Sequence, residues 1–139
     1  MLATTAASVT TSLAVALAAA TSLAPAALAQ AAAKPASMEL MNDMALAAAV
    51  NVCELAVESK VPVEQVVLSN AKAITYVVTS RYGSQVANAG TLQPEQIANG
   101  AIIQVVGRVR QGCYAKLAGA DKKFVDDVIT EYSNAVQRN

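Results

Sequence analysis

Hydrophobic and polar positions divide this chain into two unlike parts. From Met1 to Ala33 no residue is charged, whereas from Lys34 onward charged and apolar positions interleave at helical spacing. Ser37 is placed to cap a helix reaching about Ser59, in which Met41, Ala45, Ala48, Val52, Leu55 and Ala56 recur at three and four. Glu39, Asp43, Glu54 and Glu58 fall on its other side, as an amphipathic helix requires. A second helix starts at Pro62 and carries Val63, Val66, Val67, Ala71, Ile74, Val77 and Val78 on one face until Gly83 ends it. Its β-branched content also permits two strands, VPVEQVVL and ITYVVTS, but neither alternates cleanly, and Lys72, Thr75, Thr79 and Ser80 sit away from the apolar stripe.

Gly83 to Thr91 (GSQVANAGT) is the longest turn-rich stretch. Thr91-Leu92-Gln93-Pro94-Glu95 then supplies a cap, a first-turn proline and an early acid for a third helix, with Ile97, Ala101, Ile102, Val105, Val106 and Val109 inward and an end near Gly112. Gly100 and Gly107 lie nearly on one face, and each costs up to ~1 kcal/mol against alanine. Such glycines usually mark close helix packing. Asp121 is expected to open a fourth helix, whose Phe124, Val125, Val128, Ile129, Tyr132 and Val136 form an inward ladder with Lys122, Lys123, Asp126, Asp127 and Glu131 solvated. Four helices with short connections predict an all-α, four-helix bundle-like domain over residues 37–139. Its core of alanine and valine has little bulk per position, so the helices must approach closely.

The uncharged first part reads as a processing signal. Leu13 to Leu23 (LAVALAAATSL) is an apolar run of signal-peptide length, and Ala27-Leu28-Ala29 before Gln30 offers the small residues that a signal peptidase inspects. This predicts a cleavable signal peptide over 1–29 and a flexible leader over 30–36, although the usual basic residues at the start are missing. The rival is an uncleaved anchor, but the apolar run falls short of the ~20 residues a bilayer span requires and is diluted by Thr and Ser. The mature chain is therefore expected outside the cytosol, periplasmic or secreted, with no stable membrane span.

Composition narrows the chemistry. With no histidine the chain has no imidazole base, no histidine-dependent nucleophile and no His-ligated zinc or haem. Ten basic and ten acidic residues leave no surplus positive charge for a nucleic-acid partner. Cys53 and Cys113 are expected to form a disulfide in an oxidising compartment. Closing that loop is worth about 4 kcal/mol in the chain-entropy model. The alternatives are two buried thiols or one reactive cysteine, for which Arg108, Arg110 or Lys116 could lower the pKa of Cys113. Neither CxxC nor CxxCH is present, so neither thioredoxin-like redox work nor c-type haem attachment is supported.

Met38, Met41 and Met44 in MELMNDM form the one motif with a specific chemical reading, because a Met-x-x-Met-x-x-Met series of soft thioethers can hold Cu(I). The plainer reading puts Met41 in the core, flanked by the other two. Arg108 and Arg110 diverge by about 160° on a helix and make no single anion clamp. Asp126, Asp127 and Glu131 read as a solvated face with at most weak hard-cation affinity. Tyr76, Tyr82, Tyr114 and Tyr132 are expected mostly at the edge of the core, with Tyr114 placed to pack on the disulfide.

At NDMALAAAVNVCELA, Asn42 to Ala56, and LQPEQIANGAIIQVVGRVRQGC, Leu92 to Cys113, the chain resembles small exported helical proteins of unassigned function from marine cyanobacteria. Proteins of that sort sometimes carry a class II cyclic-nucleotide phosphodiesterase or metallo-β-lactamase label. This chain departs from that label, because those enzymes bind metals through several histidines. The expected function is non-enzymatic: an exported helical domain binding a protein partner or small apolar ligand through an interhelical groove, or pairing as a homodimer. A periplasmic Cu(I) carrier using Met38, Met41 and Met44 is the alternative. An enzyme comes third, and would need two of Glu54, Glu58, Glu64, Glu95 and Asp126 to converge in a pocket.

Overall fold

A computed structural model describes residues 34–138. The expected signal peptide 1–29, with its cut after Ala29, lies outside the described residues, as do 30–33 of the leader. The described part is all-α, with four helices: α1 (Met38–Glu58), α2 (Val63–Tyr82), α3 (Pro94–Gly112) and α4 (Gly119–Gln137). The strand alternative for the second segment is excluded, because residues from VPVEQVVL and ITYVVTS lie on one continuous helix.

The helix ends follow local chemistry in part. Ser37 Oγ accepts from the Leu40 N–H at 3.1 Å and caps α1 as expected. Gly83 ends α2 at φ 58, a left-handed conformation that glycine takes at little cost. The start of α3 is set two residues beyond the expected Thr91. Gln96 Oε1 reaches back to the Gln93 N–H at 2.8 Å, while Thr91 is spent in a strand.

The fourth helix differs more. It begins at Gly119, ahead of the expected Asp121. Asp121 is used elsewhere: its Oδ1 accepts from the Val63 N–H at 2.9 Å. Pro62, which precedes Val63, offers α2 no capping side chain. The last helix therefore closes the start of the second across 58 residues of sequence.

The turn-rich stretch folds into a small hairpin, β1 (Gln85–Val86) antiparallel to β2 (Gly90–Thr91). Ala36 joins it in parallel, donating to Gln85 O and accepting from the Ala87 N–H, both at 2.9 Å. Ala36 is fully buried. The part of the expected leader that is described, Lys34 to Ala36, thus ends in a fixed bridge.

Helices α1, α2 and α3 pack on one another, and α3 also carries α4. The largest fully buried side chains are all valines, including Val52, Val67, Val78, Val105 and Val125. The core is thus built of modest side chains, as the composition predicts. The glycines do not take part. A Cβ at Gly100 or Gly107 would meet nothing within 4 Å, so neither sits at a close helix contact and that expectation is corrected. Both lie on the side of α3 turned from its buried face.

Cys53 and Cys113 are joined, with their Cα atoms 5.8 Å apart. The bridge ties α1 to the residue that ends α3, just before a short 3-10 turn at Tyr114–Lys116.

Candidate functional site

The site is built on α4, whose first half carries its polar ties to other elements among the described residues. In its first half Asp121 caps α2, and Asp126 accepts from the Tyr114 O–H at 2.6 Å while pairing with Arg110 at 3.1 Å. The Tyr114 ring lies 5.7 Å from both the Arg110 guanidinium carbon and the Lys122 ammonium. Donation to Asp126 holds the Tyr114 hydroxyl above its ordinary pKa of 10.0; partial desolvation and the Asp126 charge add to the effect, and Arg110 opposes it. Tyr114 thus locks the last turn of α3 to α4, and its hydroxyl is engaged with Asp126.

Beyond Ile129 the hold weakens. Val125 is the only fully buried residue of α4 among those described. Tyr132 is 46% and Val136 56% exposed, so the second half of the expected inward ladder is outside the core. The second half of α4 is left partly uncovered by α2 and α3. A groove of about 420 Å³ results, between Leu68 of α2, Asn99, Ile102 and Ile103 of α3, and Phe124, Val128, Glu131, Tyr132 and Ala135 of α4. Its walls are aliphatic and aromatic, and its polar groups are the Asn99 amide, the Glu131 carboxylate and the Tyr132 hydroxyl.

Phe124, Val128 and Tyr132 belong to the ladder legible in the sequence. Leu68 and Ile103 were missed, and one signal marks both: each is a large aliphatic residue lying off its helix's core stripe. Ile102 and Ile103 are adjacent, roughly 100° apart on a helix, so together they widen the apolar face of α3 beyond its core stripe. Glu131, expected among solvated residues, lines the groove. None of Glu54, Glu58, Glu64, Glu95 or Asp126 does.

A second, shallower depression lies where Tyr76 meets Pro94, Glu95 and Ala98. Thr75 and Thr79 turn their hydroxyls back onto the Ala71 and Thr75 carbonyls, which leaves their methyl groups available to it. Tyr76 is 73% exposed, well beyond the core edge expected of it.

The other sequence candidates are dispersed. Met41 is buried, Met44 is partly buried against the core, and Met38 is 41% exposed. The three thioethers of the Met-x-x-Met-x-x-Met series thus occupy three different environments. No cluster of His, Cys, Asp or Glu suited to a metal ion occurs among the described residues. Arg108 and Arg110 diverge as expected, Arg108 donating to Asn42 of α1 at 3.3 Å and Arg110 turning to α4.

A domain of unknown function, DUF8650, matches residues 39–138. The chain belongs to that family. DUF8650 here spans all four helices, both cysteines and the whole groove. No curated protein and no solved structure matches the chain significantly.

Proposed function

We propose that this DUF8650 chain is an exported, non-enzymatic binding domain that takes a small apolar ligand in the groove between α2, α3 and α4. The groove itself carries the reading. Its volume of about 420 Å³ falls within the range common for small-molecule sites, and its lining is largely hydrophobic with a few polar residues. Asn99, Glu131 and Tyr132 suit a ligand with an aliphatic or aromatic body and one hydrogen-bond-donating head, such as an amine. Export is supported by the Cys53–Cys113 bridge, since structural disulfides persist in oxidising compartments.

Calorimetric titration with dodecylamine, and with dodecanoate as the opposite-charge control, tests the site. Saturable amine binding is expected, weaker for the carboxylate and lost in Val128→Asp, with Glu131→Gln removing the preference between the two heads. Absence of saturable binding, or binding indifferent to Val128→Asp, overturns the reading. A Cu(I) site on Met38, Met41 and Met44 would need the Met41 thioether to turn out of the core. Submicromolar Cu(I) binding abolished by replacing these methionines would put that function in place of the groove.

A further inference from the structure

Helix α1 is apolar on two sides. One side is the core. On another flank Asn42, Leu46, Val50, Cys53 and Val57 follow at i, i+4, i+8, i+11 and i+15, a single line along the helix. Two of them locate that line. Asn42 accepts from Arg108 and Cys53 is bonded to Cys113, so the line borders the seam with α3. Leu46 and Val50 are nonetheless 51% and 59% exposed. They form an apolar ridge beside the seam.

Across the seam α3 presents Gly100, Gln104 and Gly107 at i, i+4 and i+7, again one line. Open space stands over both glycines. Each weakens its helix relative to alanine, and no contact among the described residues requires it. The Gln104 Oε1 between them is enclosed yet has no hydrogen-bond partner among the described residues. A low stretch of α3, bare of side chains at its two glycines, therefore lies next to a ridge without a cover.

We propose that this α1–α3 face pairs two copies of the chain. A ridge beside a low, glycine-bearing stretch is self-complementary under a two-fold axis running along the seam, which lays each α1 over the partner's α3. Charge supports a second copy as the occupant. Helix α1 carries Glu39, Asp43, Glu54 and Glu58 and no lysine or arginine, whereas the end of α3 and the turn after it carry Arg108 and Lys116. The same axis brings each acidic α1 toward its partner's basic end. A membrane is the weaker occupant. By length and composition α1 could cross one, but a helix without basic residues is repelled by anionic lipid surfaces.

Sedimentation equilibrium of the native protein with its disulfide intact, over roughly 1–100 μM, reads the pairing. A reversible dimer is expected, weakened by about tenfold or more in Leu46→Glu. Gly107→Leu is expected to weaken it equally while leaving the thermal midpoint unchanged or higher, because in the lone chain the new side chain enters open space. A monomer throughout that range overturns the pairing, as does a dimer indifferent to both substitutions. Cosedimentation of a monomeric chain with neutral phosphatidylcholine vesicles, lost in Leu46→Glu, would assign the face to lipid instead. The groove lies on the α4 side of α3, so its amine titration stands or falls independently.

Discussion

Helices α1 and α4 are of similar length and are used in opposite ways. In α1 apolar residues surround most of the circumference; six are buried, and a disulfide fixes the helix to the end of α3. In α4 the separation of apolar and polar residues is much cleaner, yet only Val125 is fully buried. A clean stripe states that a helix has a face to cover. It does not state that the chain's own core is long enough to cover it. The second half of α4 buries no residue fully, and the uncovered part of the stripe becomes one wall of the groove.

The contrast can be broken at its strongest point by removing the tie on α1. Cys53→Ser with Cys113→Ser should cost about 4 kcal/mol in urea unfolding, read as a lower midpoint. A loss below about 1 kcal/mol would show that the helices hold α1 without the staple. Within α4, Val125→Ala should cost about 2 kcal/mol through the cavity it leaves, whereas Val136→Ala should stay within about 0.5 kcal/mol. Equal losses at the two positions would erase the distinction between the anchored and the exposed half. Asp121→Ala should cost about 1 kcal/mol by uncapping α2, with faster amide exchange at Val63 as the local signature.

The smallest effect concerns Tyr114. Its hydroxyl should titrate above 10.0 in ultraviolet difference spectra, and Asp126→Asn should bring it down toward that value. The sign follows from linkage. A group whose pKa is raised on folding contributes stability in full below its unfolded pKa. It loses that contribution as pH rises through the folded pKa. The lock between α3 and α4 should therefore weaken only in strong alkali.

Much of this architecture is legible along the chain because its signals are local. Ser37 caps the helix that follows it, Gly83 stops the helix before it, and the stripes of α1 to α3 name most of the residues that are buried. Cys53 and Cys113 were pairable from their isolation and from the expected compartment. What escaped depends on partners distant in sequence. Asp121 looked like the opening of its own helix because a carboxylate before an apolar run usually caps that run, but Val63 offered an unpaired N–H and Pro62 no capping side chain. Gly100 and Gly107 looked like contact points because glycine so often is one, whereas here their faces are open. Leu68 and Ile103 were passed over because they stood off their stripes, yet they line the groove together with stripe residues such as Ile102 and Val128. Ala36 fell within a stretch read as flexible, and an isolated bridge to Val86 has no pattern that a sequence window could register.

The capping of Val63 by Asp121 has a consequence for synthesis. As the chain emerges from the ribosome, α2 is complete in sequence long before residue 121 appears, so for that interval its first amide has only water to meet. The helix can form early but is finished late, when α4 arrives to close it. A nascent chain stalled before Asp121 should hold a frayed second helix, and the last helix to be made is the one that completes it.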